Sequence, residues 1–334
     1  MRMTVTGGAG FIGSHLVDRL LAAGHEVVVL DDFSTGKHAN LPEGHERLRV
    51  IEGDVADPEA AAAATEASDA VYHLAAVASV QASIDDPVAT HRSNLLGTLT
   101  VLEAARRAGP AEHGAAGVRR FVYASSAAVY GDAQDLPVAE GAPKDPLSPY
   151  AADKLAGEHY LAHYHRRGEL RGVAFRFFNV YGPRQDPSSP YSGVISIFLE
   201  RAAAGLPITV FGDGEQTRDF VFVGDVVDQL VSALDYPAEA ELQVYNVGTE
   251  HATSLLELIG TVQKLLGPLQ VGHELARAGD IRHSLADASK LRSVAKALGV
   301  RPPGTRLEEG LATIVAAAGP DAGAAHPRTS LRHA

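Results

Sequence analysis

The sequence predicts an α/β fold, a doubly wound parallel sheet followed by a smaller C-terminal lobe. Three observations carry this. Short β-rich runs alternate with helical patterns through the first half of the chain, and such alternation means parallel strands joined by crossover helices. A glycine-rich turn, Gly7-Gly8-Ala9-Gly10, follows the first of those runs. At 334 residues the chain exceeds what a single core usually holds, so one large or two intimate domains are expected.

In order, residues 3–6 form the first strand and residues 10–23 the first helix. Residues 26–30 (EVVVL) are a buried strand. Residues 48–52, 70–73 and 120–124 (RFVYA) repeat the signal, with helical stretches near 58–66 and 87–107 between them. Residues 171–177 form another strand. The second half is less regular. Residues 191–204 and 226–234 read as helices, with short strands near 208–211 and 243–247, then helices at 254–266 and 286–298. This divides the chain into a main domain over 1–177, to which some later elements return, and a smaller lobe over 178–315. Residues 316–334 (AAAGPDAGAAHPRTSLRHA) lack apolar periodicity and are expected to be a disordered tail. No internal repeat is visible.

Composition narrows the function classes. Hydrophobic content of 46% and charged content of 21% suit a soluble globular enzyme. A net charge of −12 repels phosphate backbones, so nucleic acid is not an expected partner. The chain has no cysteine, which excludes disulfides, thiolate catalysis and thiolate-held zinc. Its 15 histidines show no HExxH pattern, so no metal is expected. The first strand starts at about residue 3, leaving no room for a signal peptide, and no apolar run reaches membrane-spanning length. A cytoplasmic location, with no membrane partner, is the expectation.

Gly7, Gly10 and Gly13 have GxxGxxG spacing between the first strand and the first helix. The first suits a tight turn, the middle one lets backbone approach a pyrophosphate, and the third lets helix pack on strand. The helix N-terminus, with Phe11 and Ile12, then offers N–H groups to phosphates. A plain structural turn uses the same residues, but the position after a strand favours a Rossmann-type dinucleotide site. Asp31 closes the second strand, 18 residues after Gly13. A carboxylate there accepts from ribose hydroxyls and repels a 2′-phosphate, which favours NAD over NADP. Asp31-Asp32 could also simply begin a turn. Asp54, after the third strand, could reach the adenine, or serve loop chemistry alone.

Tyr150 and Lys154 stand four apart in Ser148-Pro149-Tyr150-Ala151-Ala152-Asp153-Lys154. Ser148 suits an N-cap and Pro149 a first turn. Residues at i and i+4 share a helix face, so the ammonium can approach the phenol. A neighbouring cation should lower the tyrosine pKa from about 10, helped by a positive nicotinamide, and allow it to act as a base. Tyrosine on a helix is more often packing and lysine more often solvated. The glycine loop upstream and the serines of Ala124-Ser125-Ser126-Ala127-Ala128-Val129-Tyr130-Gly131 add weight, because strand ends in such sheets face the ligand crevice.

Together these motifs resemble the extended short-chain dehydrogenase/reductase superfamily and, within it, the NAD-dependent epimerase/dehydratase family, most of all its UDP-glucose 4-epimerase group. The resemblance covers roughly residues 1–310. It includes His73-Leu74-Ala75-Ala76, Arg92-Ser93-Asn94-Leu95-Leu96-Gly97-Thr98 and Arg176-Phe177-Phe178-Asn179-Val180-Tyr181-Gly182-Pro183-Arg184. Gly212-Asp213-Gly214, Thr217-Arg218-Asp219-Phe220-Val221 and Arg277-Ala278-Gly279-Asp280 complete it.

The resemblance implies a catalytic triad of Ser126, Tyr150 and Lys154. It implies a dinucleotide site over Gly7, Gly10 to Gly13, Asp31, Asp32, Ser34, Thr35, Gly36, Asp54, Val55, Leu74, Ala75, Ala76, Ala78, Asn94 and Phe177, where NAD is held tightly and regenerated each turnover. Asn179, Val194, Arg218, Arg277, Asp280 and Ser284 are implied to hold a UDP-sugar; arginines suit diphosphates through charge-assisted bonds. The implied reaction is inversion at C4 through a 4-keto sugar. Dehydratases of the family carry Asp-Glu after the catalytic Thr, and decarboxylases a glutamate; Ala127 and Ala128 stand there. A uronic-acid epimerase would place a base where Asp186 stands. Ser284 replaces the bulky tyrosine that disfavours N-acetylated sugars, so UDP-GlcNAc and UDP-GalNAc are expected beside UDP-glucose and UDP-galactose. Another nucleotide-sugar epimerase, a 4-ketoreductase or a non-catalytic NAD-binding sensor are the alternatives. Helices near 93–107 and 149–165 either cover their own sheet or, as in the family, pair in a homodimer.

Overall fold

The computed structural model describes residues 1–108, 118, 120–187, 193–237, 239–276 and 281–318. The strands are β1 (Arg2–Thr6), β2 (Glu26–Asp31), β3 (Leu48–Glu52), β4 (Ala70–His73), β5 (Arg120–Ser126), β6 (Gly172–Phe177), β7 (Asn179–Tyr181), β8 (Ile208–Phe211), β9 (Thr217–Phe222), β10 (Gln243–Val247), β11 (Ala252–Ser254) and β12 (Val271–Glu274). The helices are α1 (Phe11–Ala22), α2 (Pro58–Thr65), α3 (Val80–Asp85), α4 (Pro87–His91), α5 (Gly97–Arg107), α6 (Pro149–Arg166), α7 (Val194–Ala203), α8 (Val223–Ser232), α9 (Leu255–Leu266), α10 (Ser289–Ala297) and α11 (Leu307–Ala318).

Seven strands form one parallel sheet in the order β10-β6-β5-β4-β1-β2-β3. Strand alternation sends neighbouring side chains to opposite faces. Val27 and Val29 of β2 join Leu16, Val17 and Leu20 of α1 and Val223, Val226 and Leu230 of α8. Val28 and Leu30 join Ala61 and Ala64 of α2, Val101 and Leu102 of α5, and Leu161 of α6 on the other side. Burial on both faces is what the unbroken EVVVL run requires. The fold is Rossmann-type. Its strand order reverses between β1 and β4, so the ligand crevice is expected beyond their carboxyl ends.

A smaller lobe has its own core, in which Ile195, Phe198 and Leu199 of α7 meet Leu258, Ile259 and Val262 of α9 and Leu311 of α11. Its sheets are β11-β9-β7 and β12-β8. β10 crosses back to pair with β6.

Several elements depart from the sequence expectation. The helix expected over 87–107 is α4, a π-type turn over Arg92–Leu96, and α5. Asp86 caps α4 through Ala89 N at 3.0 Å and ends the unforeseen α3. The helix expected at 286–298 starts at Ser289, because Ala286 forms a parallel bridge with Val138. The helix expected at 226–234 begins three residues earlier, at Val223, and gives way to a 3-10 turn over Ala233–Asp235. β7, β9, β11, β12 and α11 were not expected. The anticipated tail begins inside α11, whose last residue is Ala318; residues 319–334 lie outside the described residues.

Candidate active site

The glycine loop leaves β1 and turns into α1. Gly7 has φ +68°, a left-handed conformation that favours glycine, and a Cβ there would stand 2.7 Å from Ala75 N. A Cβ on Gly13 would stand 2.1 Å from Gly7 O, so the third glycine closes helix against turn. Gly10 caps α1 without a side-chain hydrogen bond. The first-turn N–H groups therefore face the crevice with no intrahelical partner, ready for an anion.

Asp31 is buried at the end of β2. Its Oδ2 accepts from Ala9 N at 2.9 Å and its Oδ1 from Phe33 N at 2.9 Å. Burial raises its pKa, and those two N–H groups oppose the rise. The carboxylate thus fixes the glycine loop while lining the crevice. Gly36 backs it: a Cβ there would meet Asp31 Oδ1 at 2.6 Å. Asp54 departs from expectation. It is absent from the crevice wall, because its carboxylate accepts from Ala56 N at 2.7 Å and from Arg92 at 2.8 Å; Gly53 and Val55 face the crevice instead.

The opposite wall, residues 74–78, follows β4. Asn94 lies behind it, fully buried, with Oδ1 accepting from Val77 N at 2.7 Å and Nδ2 donating to Val77 O at 3.2 Å. His73 extends this support. Its Nδ1 meets Thr6 Oγ1 at 2.7 Å and its Nε2 meets Thr98 Oγ1 at 2.9 Å. Burial holds its pKa down to about 3, with Lys154 adding a smaller push, so it is a neutral bridge.

Ser126 ends β5 and caps the following turn, accepting from Ala128 N at 3.2 Å. Tyr150 and Lys154 lie in the first turns of α6, where Ser148 accepts from Ala151 N at 3.2 Å and Pro149 opens the helix. All three line one crevice together with Gly7, Gly10, Phe11, Ile12, Gly13, Asp31, Asp32, Ser34, Thr35, Val55, Leu74, Ala75, Ala76, Ala78 and Phe177. The Tyr150 pKa departs from expectation: burial raises it, and a hydrogen bond from Ser126 partly offsets this. Lys154 does not do the lowering, because its Nζ donates to Ala124 O at 2.8 Å and sits 6.0 Å from the Tyr150 ring centre. Burial brings the Lys154 pKa down to about 8, with Asp153 pulling it back up. Uncapped helix N–H groups, the glycine cradle and the Asp31 carboxylate fit a dinucleotide along this wall.

The expected substrate residues are less gathered. The bridge between Thr217 and His283 sets Arg218 beside Ser284, with Ser284 N donating to Thr217 O at 3.2 Å. Arg218 Nη1 donates to Thr217 O at 2.9 Å. Asn179, exposed, opens β7, and Val194 opens α7. None of these four lines the crevice. Arg277 and Asp280 lie outside the described residues. Asp186 pairs with Lys37 at 2.9 Å.

Gly53, Ser93, Ala124, Ser125, Phe178, Val180 and Gln185 also line the crevice without having been assigned to it. Gly53, Ala124, Ser125 and Phe178 sit at strand ends, so the strand-end rule would have found them. Gln185 carries no such signal.

Residues 3–248 match the NAD dependent epimerase/dehydratase family. The chain is 43% identical over 320 residues to a UDP-glucose 4-epimerase of Mycolicibacterium smegmatis, covering 94% of this chain and 97% of that one. A UDP-glucose 4-epimerase of Thermus thermophilus, solved with NAD, is similar at 40% identity and TM-score 0.83, over 95% and 98% of the two chains. A UDP-N-acetylglucosamine 4-epimerase from Methanobrevibacter ruminantium, solved with UDP-N-acetylmuramic acid, matches at 34% identity and TM-score 0.86, over 94% and 97%. With family model, relatives and fold in agreement, the chain belongs to the NAD-dependent epimerase/dehydratase family, as an isomerase of the epimerase type that works with NAD.

Proposed function

We propose that the protein interconverts C4 epimers of UDP-hexoses, UDP-glucose with UDP-galactose and UDP-GlcNAc with UDP-GalNAc. The observation that carries this reading is the meeting of Ser126, Tyr150 and Lys154 in the same crevice as the glycine loop. NAD, which the glycine loop, Asp31 and residues 74–78 would hold, would accept the C4 hydride and return it, and its positive nicotinamide would favour the phenolate. Tyr150 takes the O4 proton of the sugar and returns it after the 4-keto sugar has turned over. Ser126 hydrogen-bonds the phenol and holds O4 in line with it. Lys154, an ammonium below about pH 8 and held on Ala124 O, keeps a positive charge on the crevice wall beside Tyr150. Ala127 and Ala128, next to Ser126, carry no second acid–base group, which favours epimerisation over dehydration.

The lobe over 178–315 is proposed to hold the nucleotide diphosphate through Arg218, Arg277, Asp280, Asn179 and Val194, so that binding energy remote from C4 leaves the sugar free to turn. Ser284, small and beside Arg218, leaves room for an acetamido group. Val80, Ile84, Val88, Leu96 and Tyr160 are exposed on α3, α4, the turn after it and α6, which supports a homodimer through this face; light scattering at the single-chain mass of 35.0 kDa would contradict it.

The test is NMR of purified protein with UDP-glucose, UDP-GlcNAc or UDP-glucuronate and no added cofactor. The first two should equilibrate with their C4 epimers and the third should not. Unchanged UDP-glucose would overturn the reading, and unchanged UDP-GlcNAc would overturn the part assigned to Ser284.

A further inference from the structure

Tyr150, Lys154 and Glu158 follow at four-residue steps along α6 and so share one side of the helix. Each meets the end of β5. Tyr150 faces the same crevice as Ser126, whose hydroxyl opposes the rise in the phenol pKa, Lys154 Nζ donates to Ala124 O at 2.8 Å, and Ser125 Oγ donates to Glu158 Oε1 at 2.5 Å. Arg176 of β6 grips Glu158 from the other side. Its Nε donates to Oε1 at 2.8 Å and its Nη2 to Oε2 at 2.6 Å, with side chains only 4% and 6% exposed. Arg176 Nη1 donates to Tyr130 Oη at 2.8 Å, and Tyr130 Oη donates to Asn246 Oδ1 at 2.6 Å. One buried network thus ties α6 to β5, β6 and β10.

Stability alone is a poor reason for such a pair. Desolvation cancels most of the attraction, and well-packed apolar residues of like volume are often as stable. Register is a better reason. A helix advances about 1.5 Å per residue, and a misplacement of about 1 Å in a catalytic group costs on the order of 100-fold in rate. None of Ser125, Glu158 and Arg176 carries a proton in the reaction above.

We propose that the Arg176–Glu158 pair, latched to Ser125, is the positioning device that sets Tyr150 and Lys154 against Ser126. The proposal rests on the 4-epimerase reading. It is tested with Ser125→Ala and with the double variant Glu158→Leu/Arg176→Met, which removes both charges together. Each is assayed with UDP-glucose for kcat and KM, bound NAD and thermal midpoint. The double variant should lose roughly 10- to 100-fold in kcat, and Ser125→Ala several-fold, with KM and bound NAD at wild-type levels. A merely structural pair would move the thermal midpoint and leave kcat per NAD-loaded molecule unchanged. Wild-type kcat in a folded double variant overturns the proposal. So does wild-type kcat in Ser125→Ala where the double variant fails to fold, or loss of NAD in step with kcat. Inactive wild-type protein would instead overturn the 4-epimerase reading itself.

Discussion

The dinucleotide wall of the crevice is assembled from residues close in the chain, whereas the side facing the smaller lobe is assembled from residues far apart. Gly7, Gly10 and Gly13 span seven positions, and the wall at 74–78 is fastened to them through Thr6 and His73. Arg218 and Ser284 come into neighbouring register only because β9 bridges a segment 66 residues on in sequence, at Thr217 and His283. Strand-turn-helix geometry makes the first site almost unavoidable once β1 is in the sheet. The second depends on how the small lobe packs, and its residues can change without unmaking the fold. On the proposed reading, chemistry lies on the side built from neighbouring residues and substrate choice on the side built from distant ones.

The division predicts a ranking of effects. Tyr150→Phe removes the proposed base and should cost roughly 10²- to 10⁴-fold in kcat, with little change in KM or bound NAD. Near-normal turnover would break the assignment. Gly13→Ala should lose NAD and stability together, because its Cβ would stand 2.1 Å from Gly7 O; Gly10→Ala, at 3.2 Å from the same atom, should be far milder. Equal NAD content in the two variants would show that the turn adapts. Arg218→Ala should raise KM roughly tenfold or more while NAD content holds, as a lost charge-assisted bond does. If kcat fell and KM did not, Arg218 would belong to the chemistry and not to the holding side.

The smallest effect concerns His73 and acid. Its folded pKa is held at about 3 against the usual 6.5. Between those values the unfolded chain binds a proton that the native chain does not. Stability is therefore lost as pH falls from 6.5 toward 3. Denaturant titrations across that range should show a flatter slope in His73→Asn than in wild type. An unchanged slope would mean that carboxylates alone set the acid limb.

Much of this was legible in sequence. The parallel sheet followed from alternation, and EVVVL reads as doubly buried because it is. Ser148 and Pro149 announce α6 by capping chemistry, and four-residue spacing puts Tyr150 and Lys154 on one side. Other features belong to tertiary structure. Asp54 looks free in sequence, and only packing of the π-type turn brings Arg92 to it. The Tyr150 pKa was expected to fall through spacing to a cation, yet burial raises it, and Lys154, engaged with Ala124 O, does not offset the rise. α11 went unseen because its alanine-rich run gains its face from Tyr181 and α9.

The central claim is that one hydride leaves C4 and returns to the same carbon while Tyr150 moves the O4 proton. UDP-glucose deuterated at C4 tests it most directly, incubated with purified protein in ordinary water without added cofactor and followed by NMR. The account predicts UDP-galactose that keeps deuterium at C4. Galactose product carrying hydrogen from water at C4, or none formed at all, would contradict it.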